Sequence, residues 1–345
     1  MNGSGVLCVA LIGAGRVAAA HAAAFKRVAD VDIRAIADPR REAAETLAQS
    51  LGAKAFTDHR RVLATPDVDI VDIAVPHALH AEIASAALEA GKHVFMDKPL
   101  ATTVADGERL CDVAASSGRV MMICHNLLFH PVVAAAKRYV DAGVLGRPTV
   151  ADAWSCGYLD LPPWDFRRSQ EATGGGAWFD GGPHLLYTLE FLLGPIDDVV
   201  SRLGRGPSRI GGEDSVAAAV RFRTGASATL RISYADNLPG HEQPWPAGWR
   251  LGFELRGTGG TLSLTLLPTS SLTMYTGQDA PSEHHVDGTF QASFDGAIAE
   301  FVAAIREQRA PMVPLSASLR TLRQVLSAAH ADTPSTGDER RAHTG

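Results

Sequence analysis

Short runs of consecutive apolar residues alternate with helix-forming segments through the first third of the chain. Residues 6–12 are apolar and stop at Gly13, as a strand buried on both faces would. An alanine-rich stretch, 17–29, has good helix propensity and follows directly. The pattern then repeats. Strands are predicted at 33–37, 69–75, 93–96 and 120–124, and helices at 40–51, 78–90 and 104–116. Such alternation implies right-handed crossovers and a parallel sheet covered on both faces, so residues 1–125 read as a doubly wound α/β domain.

Beyond one further helix, at 131–142, the period changes to two. Val216, Ala218, Val220 and Phe222 point one way and Arg221 and Arg223 the other; Leu230, Ile232 and Tyr234 repeat the scheme. Segments 249–256 and 261–267 flank Gly257-Thr258-Gly259-Gly260, a hairpin turn. Two amphipathic helices close the pattern, one with the stripe Phe294, Ile298, Phe301, Val302 and Ile305, the other with Leu315, Leu319, Leu322 and Leu326. Residues 126–331 therefore read as an α+β domain on a mainly antiparallel sheet. The proline-rich segment 237–248 reads as a surface loop near the site or an interface, and 332–345 as a disordered polar tail.

Composition narrows the function. At about 150 residues per domain, 345 residues make roughly two domains. Thirty-two basic and 38 acidic residues leave a charge of −6 without basic blocks, which excludes the cationic footprint of a nucleic-acid binder. Cys8, Cys111, Cys124 and Cys156 form no C-x-x-C pair and suit a reducing cytosol. No apolar run reaches the roughly 18 residues of a membrane span, and Met1 to Gly5 has no basic leader region. The expectation is a cytoplasmic protein with no membrane partner.

Gly13-x-Gly15-x-x-Ala18 lies between a strand and a helix. Gly13 allows the tight turn, Gly15 a close approach by a pyrophosphate, and Ala18 close helix–strand packing. The N–H groups of the helix N-terminus, at Arg16 and Val17, and the positive end of the helix dipole favour phosphate. Asp38, twenty positions after Ala18, suits the adenosine ribose 2′-hydroxyl and repels a 2′-phosphate, favouring NAD. Arg40 and Arg41 follow and either can pair with a phosphate, so NADP stays open.

Five stretches, the glycine turn among them, resemble one family in its own order: Gly13-Ala14-Gly15-Arg16; Asp72-Ile73-Ala74-Val75-Pro76-His77-Ala78-Leu79-His80; 89–100, ending Met96-Asp97-Lys98-Pro99-Leu100; Gly143-Val144-Leu145-Gly146-Arg147; and 174–184, ending Phe179-Asp180-Gly181-Gly182-Pro183-His184. The chain resembles the glucose–fructose oxidoreductase/inositol dehydrogenase (Gfo/Idh/MocA) family over nearly its whole length. The resemblance implies an N-terminal Rossmann domain and a second domain whose open sheet often mediates dimer or tetramer contacts.

By that resemblance Lys98 is the lysine of a Glu-Lys-Pro motif in which Asp97 replaces glutamate, close to the nicotinamide. A lysine at the carboxyl edge of the sheet can stabilise developing alkoxide charge or join a proton relay. Asp180 and His184 share a helical spacing of four, and on spacing alone they read as a helix cap and a core histidine. Family position instead makes them the catalytic pair with Lys98. Pro183 predicts a helix start or kink there, with Asp180 in the preceding turn. Pro76 and His80 belong to a loop that covers the cofactor. Asn126 lies near nicotinamide and substrate, and Leu128 replaces a usual arginine. His77, where asparagine is common, is three residues from His80; with no third ligand at recognisable spacing, no metal is expected.

Substrate contacts are expected from 159–167 and 237–249. Trp154, Trp164 and Trp245 offer ring faces, and Asp165, Arg167 and Arg168 offer polar groups, each equally able to serve packing or an interface. Gly174-Gly175-Gly176 reads as a backbone bend. The expected substrate set is Lys98, Asn126, Trp164, Arg167, Asp180 and His184. The function read from the chain is hydride transfer between nicotinamide and a secondary hydroxyl or ketone of a sugar, sugar derivative or cyclitol. Two alternatives are redox-assisted glycoside cleavage with retained NAD and a non-catalytic dinucleotide sensor.

Overall fold

The computed structural model describes residues 5–159, 161–236, 248–277, 281–284, 286 and 288–330. Trp245, nearly all of the 237–248 loop and the 332–345 tail lie outside the described residues.

The first sheet has six parallel strands: β1 (Leu7–Ile12), β2 (Val31–Ala37), β3 (Lys54–Phe56), β4 (Ile70–Ile73), β5 (His93–Asp97) and β6 (Met121–Cys124). Their order is β3-β2-β1-β4-β5-β6, the doubly wound arrangement with its switch point beside β1. Helices α1 (Arg16–Phe25), α2 (Arg41–Leu51), α3 (His59–Leu63), α4 (His80–Glu89) and α5 (Val104–Ser117) make the crossovers. Alternate residues enter two separate cores: Ala10, Ile12, Val71 and Ile73 on one face, and Val9, Leu11, Ile70 and Phe95 on the other. The continuous apolar runs follow from that double burial. α1 ends at Phe25, earlier than expected, because the chain reverses into β2 through Asp30 at a φ of 53°.

After α6 (Pro131–Asp141) comes β7 (Pro148–Cys156), then α7 (Gln170–Thr173) and α8 (Ala177–Leu193). The remaining strands are β8 (Ile196–Gly204), β9 (Ser215–Phe222), β10 (Ser227–Ser233), β11 (Arg250–Gly257), β12 (Thr261–Leu267), β13 (Ser271–Tyr275) and β14 (Ser282–His284). The sheet order is β14-β13-β12-β11-β7-β10-β9-β8, antiparallel except that β7 runs parallel to β10. Burial in β9 alternates as the two-residue period requires, with Val216, Ala218, Val220 and Phe222 inward.

α8 fills the space beneath this sheet and is buried on almost every face. It continues through Pro183, so the helix does not start there as expected, and Asp180 stands in the first turn of the same helix as His184. The interior-proline cost of about 3 kcal/mol is offset by burial of Trp178, Phe179, Leu185, Leu186 and Leu189, each worth roughly 1.5–3 kcal/mol. α9 (Phe290–Arg306) turns back to the first sheet: Phe294, Ile298, Phe301 and Val302 join the core of Phe25 and Phe95, over α1. α10 (Leu315–His330) packs on α8, β8 and α5. No helix among the described residues is long and apolar enough to cross a membrane.

Candidate active site

A cleft of about 1300 Å³ opens at the carboxyl ends of the parallel strands and reaches beneath the second sheet. Pockets for one drug-sized ligand measure roughly 300–1,000 Å³, so this volume suits a dinucleotide together with a second small molecule. Gly13, Asp38, Pro76, Lys98 and Asn126 each stand just past a strand end and line it.

At one end is the glycine turn. Gly13 has φ +106°, and a Cβ there would fall 2.1 Å from the Ala74 carbonyl oxygen, so only glycine fits. At Gly15 a Cβ would meet nothing within 4 Å, and no side chain caps α1. Arg16 and Val17, the first residues of α1, line the cleft, while Ala18 is fully buried beneath them. The Asp38 carboxylate accepts from the backbone N–H of Ala14 at 2.9 Å and of Arg40 at 2.8 Å. It also pairs with the Arg40 guanidinium at 3.2 Å. A cradle of backbone donors beside an oriented carboxylate fits a dinucleotide.

The other end is built from side chains far apart in sequence. Lys98 Nζ donates to the Asp180 carbonyl at 2.9 Å and to Asp180 Oδ1 at 2.5 Å. Tyr234 donates its hydroxyl to Asp180 Oδ2 at 2.8 Å. Burial alone would raise the Asp180 carboxyl, but Lys98 and Arg167 outweigh it and hold it well below the usual carboxylate range. Burial and then Asp180 push the Tyr234 phenol well up. One turn further along α8, burial and then Lys98 push the His184 imidazole well below its ordinary value, leaving a neutral ring. His184 lines the cleft, while its Nδ1 is buried without a hydrogen-bond partner. The arrangement can present a cation and a neutral proton acceptor to one hydroxyl group.

The remaining expected residues divide. Asp97 lines the cleft, and Asn126 lines it with its amide donating to Ser293 of α9 at 2.8 Å. Arg167 also lines it, gripping Asp165 with contacts of 2.9 and 2.6 Å. Trp164 is 70% exposed, with the Arg40 guanidinium 5.1 Å from its ring centroid. It lines the cleft on the side of Arg40 and Asp38. His80 is corrected: it does not line the cleft but is fully buried, its ring nitrogens 2.7 Å from the Pro99 carbonyl and 3.0 Å from that of Val75. As the first residue of α4 it turns inward and ties the β4 loop to the segment behind Lys98. Trp154 packs against Gly252 in the sheet and Arg168 donates to the Leu161 carbonyl; neither lines the cleft.

Several contributors escaped the sequence reading. Tyr234 was assigned only to an apolar strand face; a phenol at a strand end is the signal that it reaches a polar partner. Glu213 caps α8, accepting from the N–H groups of Gly176 and Trp178 at 3.1 and 2.9 Å. His21 and Asp72 form a fully buried pair at 2.9 Å below the glycine turn, and Asp72 raises the imidazole although burial alone would lower it. His21, Asp97 and Cys124 also bring one ligand-type atom each within 4.8 Å of one another, a grouping no sequence spacing revealed.

Residues 7–125 match the model of an oxidoreductase family with an NAD-binding Rossmann fold, and 133–263 match the Gfo/Idh/MocA C-terminal domain. The chain is 30% identical over 293 residues to levoglucosan dehydrogenase of Pseudarthrobacter phenanthrenivorans, covering 74% of this chain and 73% of that protein. It is 30% identical over 253 residues to D-glucoside 3-dehydrogenase of Escherichia coli, covering 68% and 72%. Its fold is similar to that of a levoglucosan dehydrogenase solved with NADH and levoglucosan, at a TM-score of 0.85 and 24% identity, covering 95% and 98% of the two chains.

Proposed function

Because the chain belongs to the Gfo/Idh/MocA family of oxidoreductases with an NAD-binding Rossmann domain, we propose that it transfers a hydride between NAD and a secondary hydroxyl or ketone of a sugar, sugar derivative or cyclitol. The observation that carries this reading is the meeting of Lys98, Asp180 and neutral His184 in the cleft that begins at the glycine turn. The relatives named above, dehydrogenases of levoglucosan and of D-glucosides, support a polyhydroxylated substrate.

The N–H groups of Gly15, Arg16 and Val17 and the Asp38 carboxylate would hold the pyrophosphate and ribose, with Pro76, Asp97 and Asn126 toward the nicotinamide. When bound, NAD supplies the hydride acceptor or donor. In the oxidising direction His184 accepts the hydroxyl proton at its cleft-facing nitrogen, which requires the hydrogen on buried Nδ1. The Lys98 ammonium stabilises the developing alkoxide, and a preorganised donor of this kind contributes about 10²–10³ in rate. Asp180, kept ionised, fixes the ammonium and is itself fixed by Tyr234. Arg167 orients a substrate hydroxyl from the opposite loop.

Residues 1–125 form the cofactor unit of this proposal and 126–331 the substrate unit. The proposal includes a homodimer or homotetramer through the open face of the second sheet, where Ala217, Ala219 and Arg231 are exposed, as the family resemblance implies. The function is tested by supplying NAD and a panel of inositols and pyranoses and following reduced nicotinamide. Formation of NADH with at least one is expected; none from protein with bound NAD refutes the reading.

A further inference from the structure

His77 begins the turn after β4 and is 3% exposed. Its Nδ1 lies 2.9 Å from the Thr173 carbonyl, just before the glycine segment that launches α8. A carbonyl oxygen only accepts, so this bond assigns the hydrogen to Nδ1 and leaves a lone pair on Nε2. No group among the described residues bonds Nε2, the atom is not enclosed, and the residue lines the cleft, so this nitrogen opens to the ligand space. Phe166, Phe179 and His80 contact the ring at centroid distances of 5.4, 6.1 and 5.5 Å and fix its plane.

It stands at the reacting end of the cleft: its ring packs on Phe179, the neighbour of Asp180, and on His80, which is held by the carbonyl of Pro99 next to Lys98. Burial and then Lys98 lower its pKa to about 3, so the lone pair stays free at neutral pH. The Asp180 carboxylate is already engaged, its Oδ1 by Lys98 and its Oδ2 by Tyr234, and His184 takes the proton of the reacting hydroxyl. A polyol brings more hydroxyl donors than these groups can accept.

We propose that His77 is a specificity-determining residue whose Nε2 accepts a hydrogen bond from a substrate hydroxyl next to the carbon that is oxidised. This rests on the dehydrogenase reading above, and it selects substrates with a free vicinal hydroxyl over their deoxy or blocked analogues.

Two substitutions separate this role from the strut to Thr173. His77→Asn places an amide nitrogen where Nδ1 stands and lacks the Nε2 acceptor, whereas His77→Gln reaches the Nε2 position and gives up the bond to Thr173. With a substrate identified from the panel, His77→Asn is expected to lower kcat/KM by about 3- to 10-fold, with NAD affinity and melting temperature unchanged. The loss should vanish against the one deoxy analogue lacking the contacted hydroxyl, and His77→Gln should recover part of the discrimination. In the wild-type complex with NADH, the Nε2 resonance of ¹⁵N-labelled His77 should shift when the polyol is added and stay put with that analogue. Equal losses against every analogue, weakened NAD binding with unchanged substrate discrimination, or an unmoved Nε2 resonance would overturn the proposal while leaving the dehydrogenase reading intact. Failure of the wild-type protein, supplied with NAD, to oxidise any member of the panel would sink both.

Discussion

The two ends of the cleft are built on different principles. The glycine end is made of backbone: a turn only glycine can take, the N–H groups at the start of α1, and one carboxylate at the tip of β2, all within Gly13 to Asp38. The reacting end is made of side chains from distant segments, with 82 residues between Lys98 and Asp180 and another 54 to Tyr234. Charge is handled differently as well. Arg40 is 48% exposed although its partner Asp38 is only 8%, whereas Lys98 and Asp180 are 8% and 16% exposed, so water reaches the cation of the first pair and screens it more than the second. A recognition site for a common cofactor rests on local geometry, while the site that chooses and reacts a substrate needs a tertiary fold to assemble it.

The difference can be broken most severely at the backbone end. Gly13→Ala pushes a methyl group into the Ala74 carbonyl and strains a positive φ; calorimetric NAD binding should weaken by more than about 100-fold, and unchanged affinity would refute the account of the turn. Next comes His184→Gln, which should lower kcat by about 10²–10⁴ while NAD affinity stays within error, because the two ends are separately built. A parallel loss of NAD binding would show that they are not. Asp38→Ser is smaller: it should weaken NAD by about ten-fold, the value of one charged hydrogen-bond partner, and narrow the preference over NADP as Arg40 is released.

The asymmetry in legibility has the same cause. Gly13, Gly15, Ala18 and Asp38 were readable because their spacing along the chain is their spacing in space. The strands were readable too, since double burial writes continuous apolar runs and single burial writes alternation, as in β9. Lys98, Asp180 and His184 were reached only through resemblance; composition and period cannot tell a cleft-facing histidine from a packed one. His80 illustrates the failure, a polar residue in the right motif that points into the interior. Tyr234 and Glu213 were invisible because their partners lie 54 and 35–37 residues away. α9 presented its apolar stripe plainly, yet nothing in that stripe says it returns to α1. Pro183 misled because helix propensity is local and the burial that overrides it is not.

The last effect concerns pH. Burial, and then Lys98, lower the pKa of both His125 and His77 to about 3, against an ordinary value near 6.5. Their folded values are depressed, so the unfolded chain binds more protons between these limits. Stability is complete above pH 6.5 and falls as the pH drops toward 3, by about 1.4 kcal/mol per pH unit for each group. His125→Phe, which keeps the stacking on Tyr187 at 4.0 Å, should reduce the slope of denaturant-measured stability between pH 6 and 4 by about that amount per unit. An unchanged slope would contradict the burial account.

The most direct test of the central claim is to follow deuterium from the carbinol carbon of a labelled polyol into NAD. The account predicts reduced nicotinamide carrying the deuterium without exchange into water, because the hydride passes straight across the cleft while only the hydroxyl proton reaches His184. Unlabelled NADH, or no reduction by protein shown to bind NAD, would contradict it.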